Sequence, residues 1–238
     1  LEPIFGSEDI MRQMPSEGRK FERVDALWRR IMASVVAYPR VMDVVESAAL
    51  LQNIENANAK LDEIQKGLYD YLELKRLAFP RFFFLSNDEL IEILADAKDP
   101  RAVQPHLNKS FEGIANIDFN DDAAPKITAM RSVEGERVEL HSPVDPSRGN
   151  RKGNVELWMC DLEAAMKVTV RDHTVRAVHD YAQRPRTEWV TSWPGQVVLC
   201  VNQLMWTQGT EAALRSGAGV ASLKKHEAAL NTQLADIV

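Results

Sequence analysis

The sequence predicts an all-α protein, an elongated arm of helical bundles with one inserted β-hairpin. Three observations carry that prediction. Apolar residues recur at alternating steps of three and four from Val41 to Leu72, and Lys75 continues the stripe. A capping signal at Ser86 restarts a helix after a proline-marked interruption. One short stretch around Gly135 changes to strand-like patterning, with helical periodicity on both sides of it.

Taken in order, Ile4 to Met14 reads as a short helix stopped by Pro15. Phe21, Val24, Leu27, Trp28 and Ile31 then lie at helical spacing, giving a second helix that ends near Tyr38–Pro39. The third pattern, residues 41–78, predicts one continuous rod of roughly 57 Å at 1.5 Å per residue. Gly67 weakens that rod locally, because glycine is a poor helix former. Asn58 falls on its apolar stripe, where it either fixes register, as a buried asparagine does in coiled coils, or reaches solvent. Pro80 blocks continuation and biases Phe79 away from helical geometry.

Phe79-Pro80-Arg81-Phe82-Phe83-Phe84-Leu85 is too apolar for an ordinary loop, and core packing is the favoured reading of its three consecutive phenylalanines. Ser86 and Glu89 form an S-x-x-E capping box, and Leu85 with Leu90 matches a hydrophobic staple, so a helix begins at Asn87 and runs to about Lys98. Asp99-Pro100 reads as an N-cap followed by proline in the first turn. Pro105 divides the next stretch into two short helices, the second carrying Leu107, Phe111 and Ile114.

Residues 118–125 read as a polar loop. Ile127–Ser132 and Arg137–Leu140 flank Val133-Glu134-Gly135-Glu136 as a hairpin, with Gly135 supplying positive φ. Residues 143–153 form a second loop. Helical patterns resume with Val155, Trp158, Leu162, Ala165, Met166 and Thr169 on one helix and Val175, Val178 and Tyr181 on another. A short helix over Trp189–Trp193 ends at Pro194-Gly195. Val198, Val201, Met205 and Ala212 trace the next helix, and Ser216-Gly217-Ala218-Gly219 is a turn. Val220, Leu223, Leu230, Leu234 and Ile237 make the last helix. The units are thus 1–120, containing the long helix; 121–153, the hairpin and loop; and 154–238.

Composition narrows the function. The formal net charge is −6, which disfavours nucleic acid, because phosphate binding needs clustered cations. No apolar run approaches the ~20 residues of a membrane span. The two cysteines, Cys160 and Cys200, lie in apolar helical stretches and read as buried thiols in a reducing compartment. The five tryptophans read as packing between elements. His106, His141, His173, His179 and His226 have no metal-ligand spacing. Asp118, Asn120 and Asp122 resemble a calcium loop only faintly, since Ala123 and Ala129 stand where glycine and a bidentate glutamate are needed. The Gly217–Gly219 turn followed by Lys224 and Lys225 lacks phosphate-loop spacing. No nucleophile or paired-carboxylate signature is present. On the residues alone, a mechanical arm, an adaptor and a scaffold all remain open.

A resemblance chooses among them. Residues 64–76, running into Phe79-Pro80-Arg81-Phe82-Phe83-Phe84-Leu85-Ser86-Asn87-Asp88-Glu89-Leu90, are similar to the linker of dynein heavy chains. So, in order, are Leu1-Glu2-Pro3-Ile4-Phe5 with Asp9-Ile10, Val103-Gln104-Pro105-His106-Leu107, Ser132-Val133-Glu134-Gly135-Glu136, Val155-Glu156-Leu157-Trp158 and Trp189-Val190-Thr191-Ser192-Trp193-Pro194-Gly195-Gln196. The last of these, with the run near Glu156, is closer to the axonemal branch. Tyr69 departs from the pattern, standing where family members often have asparagine.

The resemblance implies a bent helical arm that precedes a first AAA+ module, arches over the ATPase ring and swings with nucleotide state. It implies that this stretch is non-catalytic and holds no cofactor, ATP and Mg²⁺ belonging to the ring. Its partners are then the AAA+ ring of the same heavy chain and, through the whole motor, the microtubule and the dynein intermediate and light chains. No nucleic acid and no membrane are expected. The location is cytoplasmic and cytoskeletal, in the axoneme of a cilium or flagellum. Within that frame the charged hairpin tip, Arg131, Glu134, Glu136 and Arg137, is a candidate ring contact; the competing reading is a solvated hairpin covering a helix seam. Gly67 and Pro80 are candidate hinge residues where the long helix meets the proline segment, with the region of the hairpin loop as the other place for the joint. A helical adaptor that binds partners without doing work is the alternative function.

Overall fold

The computed structural model describes residues 1–46, 48–120, 124–216 and 219–237. They are predominantly helical, with one three-stranded antiparallel sheet. The chain opens with α1 (Glu2–Phe5) and α2 (Glu8–Gln13), divided at Gly6–Ser7, so the single helix expected over residues 4–14 is two. Pro15 does not merely stop α2. It occupies the first turn of α3 (Pro15–Ala37), where its missing N–H costs nothing. The α2 segment is fixed from both ends: the Ser7 hydroxyl donates to the Ala95 carbonyl at 2.7 Å, and buried Asp9 meets Arg12 at 3.1 Å and Lys98 at 3.2 Å.

The long rod is shorter than expected. α4 (Val41–Val45) ends at Glu46, and α5 spans Ala48–Ala78, about 46 Å at the helical rise. Ser47 of the expected rod lies outside the described residues; Glu46 is a turn, and the apolar spacing passes through it because periodicity records which face is apolar, not whether the backbone is helical. Burial along α5 is also one-sided in length: Ile64, Leu68, Leu72 and Lys75 are buried, whereas Leu51 and Asn58 face solvent. Asn58 therefore takes the solvent reading. α3 and α5 run beside each other with Lys20–Glu63 (3.2 Å) between them, and the outer half of α3 with the residue that follows it leaves Trp28, Met32, Val36 and Tyr38 exposed.

Pro80 opens a 3₁₀ turn, Pro80–Phe84. Phe79 and Phe82 are fully buried and meet edge to face at 4.9 Å, but Phe83 and Phe84 are exposed, so the triple phenylalanine is only in part core. A turn of three residues sends consecutive side chains in three directions, and one direction faces the core. α6 (Asn87–Ala95) begins with the reciprocal capping box of Ser86 and Glu89, and Leu85 and Leu90 are both buried. Asp99 caps the next element by accepting from the Arg101 N–H at 2.9 Å, but that element is a 3₁₀ helix, Pro100–His106, which accommodates Pro105; α7 (Leu107–Ser110) comes next and stops before Phe111.

The sheet has order β1-β2-β3, from β1 (Asn116–Phe119), β2 (Ile127–Arg131) and β3 (Arg137–Val144). The hairpin is as expected, with Gly135 at φ 88°. Two loop readings are corrected. Part of the polar stretch 118–125 belongs to β1, and Pro143 lies inside β3, an edge strand whose pairing is irregular there, where a missing N–H is tolerated. Asp122 and Ala123 of the rejected calcium loop lie outside the described residues.

α8 (Val155–Asp180) is one helix, not the two expected. α9 (Arg186–Ser192), α10 (Gly195–Arg215) and α11 (Val220–Ile237) complete the chain, and Gly217 and Ala218 of the expected turn lie outside the described residues. The core falls into two clusters. The first extends from Phe5 to Met166 and takes in α2, α5, α6, the sheet and the first half of α8; the second gathers Ala177, Trp189, Val197, Val198 and Val201. Trp158 and Trp189 anchor one each, whereas Trp28 and Trp206 are exposed. The cysteines differ from expectation: Cys160 is half-buried against Ala78, where burial raises its thiol pKa, and Cys200 is exposed.

Candidate functional site

The hairpin tip is built from its own sequence. Gly135 N–H donates to the Ser132 carbonyl (3.1 Å), Ser132 N–H to the Glu136 carbonyl (2.9 Å), and Glu136 N–H to the Ser132 hydroxyl (3.2 Å). Glu134 is exposed. Its carboxyl is held below the usual range by its own backbone N–H and by Ser132.

Below the tip the two arginines face each other across the strands, Arg131 opposite Arg137. Like charges directly opposite destabilise a sheet. Asp118 of β1 resolves this by accepting from Arg131 Nε on one oxygen and Arg137 Nε on the other, both at 2.7 Å. These two cations, Arg131 first, hold the Asp118 carboxyl below its ordinary value. Arg137 also donates to Glu139 at 2.7 Å, and its guanidinium pKa is raised by Glu139 and then Asp118. The structure thus brings Arg131 and Arg137 together through Asp118, a residue that sequence reasoning assigned to a loop. The signal was the alternation Ile117-Asp118-Phe119, too short to stand out.

Glu136 does something different. Its Oε1 accepts from the Gly195 N–H at 2.8 Å, the first amide of α10. α10 has no side-chain cap of its own, its N-cap being Pro194. A carboxylate there satisfies an orphan donor and meets the positive end of the helix dipole. Beside this bridge lies a groove of about 790 Å³ between the hairpin, α8 and the start of α10. Met130, Val138, Met166, Val170 and Val197 give it apolar walls, and Lys167 and Arg171 stand at its rim. His173, also in its wall, packs edge-on to Trp193 at 6.0 Å, and burial, then the nearby Arg176 charge, lowers its pKa.

The candidate hinge residues sit elsewhere. α5 is unbroken through Gly67, where an added Cβ would lie 2.9 Å from Glu17 Cγ, so this glycine lets α3 approach α5. Pro80 starts the 3₁₀ turn, which Arg76 ties back to α5 by donating to the Leu85 carbonyl at 3.1 Å. Between them is the most buried ion pair described, Lys75 Nζ to Glu156 Oε1 at 2.6 Å, fastening α5 to α8. Among the described residues no cluster of three or more His, Cys, Asp or Glu side chains has metal-binding geometry, and no helix is long and apolar enough to cross a membrane.

The family model described as "Dynein heavy chain, N-terminal region 2" matches residues 1–177. Over all 238 residues the chain is 48% identical to dynein axonemal heavy chain 12 of Homo sapiens. It is 47% identical to dynein axonemal heavy chain 3 of Homo sapiens and 45% identical to dynein axonemal heavy chain 1 of Rattus norvegicus, again over 238 residues. These alignments cover 100% of this chain but 8%, 6% and 5% of the respective relatives, so it spans a small part of their length.

Proposed function

The chain belongs to the dynein heavy chain N-terminal region 2 family, and from that premise we propose that it is the mechanical linker, or lever arm, of an axonemal dynein. It moves over the AAA+ ring of its own heavy chain to displace the motor along the microtubule. The observation that carries this reading is the family match over residues 1–177, in a chain whose relatives are axonemal heavy chains. The mechanics agree with it. A lever must resist bending, and here α5 and α8 are joined by a continuous apolar core and by the Lys75–Glu156 pair, whose mutual orientation is costly to change inside a low-dielectric seam.

In this proposal the segment supplies stiffness and displacement, while ATP and Mg²⁺ act in the ring. The ring is its direct partner; the microtubule and the intermediate and light chains are partners of the whole motor in the axoneme. The hairpin tip, with Arg131, Glu134, Glu136 and Arg137, is the candidate ring contact, and Glu134 is an exposed member of it. The joint lies either where α5 meets Pro80, with Gly67 as the weak point, or beside the hairpin.

The test uses the intact heavy chain with a donor fluorophore on the exposed outer half of α5 and an acceptor on the ring. Transfer efficiency should change between ATP-analogue and nucleotide-free states. A constant efficiency during continued ATP turnover would remove the lever-arm reading.

A further inference from the structure

The two hydrophobic clusters share one element. The first half of α8 is fastened to the first body by Lys75–Glu156, by Arg81–Glu163 (3.4 Å), and by the Thr169 hydroxyl, which accepts from His141 N–H at 2.9 Å. Its last turns are fastened to the second body. The Trp189 indole N–H donates to the Ala177 carbonyl at 3.0 Å, the Trp193 N–H donates to Asp180 at 3.0 Å, and Arg176 lies over the Trp193 ring. Between Thr169 and Ala177 no side chain of α8 is fully buried: Val170 packs in part against both clusters, and His173 and Arg176 lie against Trp193.

That lightly packed span is also intrinsically weak. Val170, Thr174 and Val175 within it, and Val168 and Thr169 just before it, are β-branched, which restricts χ1 and lowers helix propensity. Thr169 and Thr174 each return a hydrogen bond to the carbonyl four residues earlier, both at 2.8 Å, a pattern that bends helices. The ~790 Å³ groove opens along this stretch, so there is space for the two bodies to close. Among the described residues one direct polar tie bypasses it: Glu136 of the hairpin on the first amide of α10.

We propose that residues 170–176 of α8 are the flexure of the arm and that Glu136 is its latch, holding the groove open while it caps α10. The proposal rests on the lever-arm reading and places the joint beside the hairpin, at a site distinct from Pro80. When the bodies rotate, α9 and α10 move with the C-terminal turns of α8. The Glu136 carboxylate leaves Gly195, and water takes its place on the amide. Glu136 is a positioning residue: it selects between arrangements and touches no substrate.

The experiment is hydrogen exchange on the intact heavy chain in ATP-analogue and nucleotide-free states. In the unmodified protein, residues 167–178 should exchange faster than 155–166 and should respond to nucleotide. Glu136→Ala should raise exchange over 167–178 and 189–201 by roughly fivefold, the factor expected for an opening equilibrium that loses one helix cap. Glu136→Gln, which keeps an acceptor, should restore part of the protection. Thr174→Ala with Val175→Ala replaces two poor helix formers on the surface of α8 and should slow exchange at 167–178 while reducing the fluorescence-measured swing. Residues 167–178 as protected as 155–166, and indifferent to nucleotide and to all three variants, would overturn the flexure even if the arm still swings. Flexing of 167–178 without any arm–ring displacement would support the flexure and overturn the lever-arm reading.

Discussion

The two halves of α8 belong to bodies held together by different means. The first body packs α2, α5, α6, the sheet and residues 155–166 around a continuous cluster that includes fully buried Phe79, Phe82 and Trp158. The second is organised on Trp189, whose indole is buried against Ala177, Tyr181 and the start of α10. Hydrophobic stabilisation scales with the apolar area removed from water. The first body therefore behaves as a rigid block, whereas the second, with long exposed flanks on α10 and α11, resists local opening less. Rigidity and compliance in one chain are what a lever with a joint requires.

The largest effect that tests the contrast is at the ion pair inside the rigid block. Glu156→Leu leaves the Lys75 ammonium buried without its partner. Removing one member of a buried pair typically costs about 3–5 kcal/mol. Exchange protection over residues 64–79 and 155–166 in the intact chain should fall accordingly. Adding Lys75→Met should restore most of it, because two packed apolar side chains replace a pair whose desolvation nearly offset its attraction. A single substitution costing under about 1 kcal/mol would mean that the first body does not depend on this seam, and the contrast between bodies would weaken.

Next in size is the anchor of the second body. Trp189→Phe keeps a ring against Tyr181 but deletes the N–H bonded to the Ala177 carbonyl, leaving that buried acceptor with one fewer partner, a loss of about 1–2 kcal/mol. Protection should drop over residues 177–201 and stay unchanged over 64–79. An equal drop in both regions would show one cooperative unit and dissolve the distinction.

Legibility in the sequence divides along the same line. The capping box at Ser86, the Gly135 turn and the place of Lys75 on the apolar stripe of α5 are local signals, set within a few residues, and each is found where the spacing puts it. The sequence pattern also lapsed between Thr169 and Val175. The helix is continuous there, yet it is where no side chain is fully buried: periodicity tracks the packing face, and the packing face is thinnest there, with Val170 alone touching both clusters. Features that depend on distant partners were not legible. β1 is four residues long and is defined by pairing with β2, Asp118 acquires its role from arginines 13 and 19 positions away, and Glu136 meets Gly195 across 59. Phe83 and Phe84 were misplaced because composition gives hydrophobicity, whereas the 3₁₀ turn decides direction.

The smallest effect probes whether the rigid block stays rigid at its edge. Ser86→Ala removes the hydroxyl that accepts from the Glu89 N–H, a cap worth about 1 kcal/mol, and should loosen only the first turn of α6. The same cap has a pH signature. Glu89 is held down to about 2, first by its hydrogen bond to Lys109 and then by the Ser86 backbone and side chain. A carboxylate with a depressed folded pKa stabilises above its unfolded value of about 4.3, and that contribution is lost as pH falls through the folded value. After correction for intrinsic exchange, protection of residues 87–90 should be level from neutrality to about pH 5 and should decline between about 4.3 and 2, while the Ser86→Ala protein shows a shallower decline. Both curves falling together through residues 64–79 would mean that the cap reports global unfolding and not local fraying, and the edge of the block would then be as cooperative as its centre.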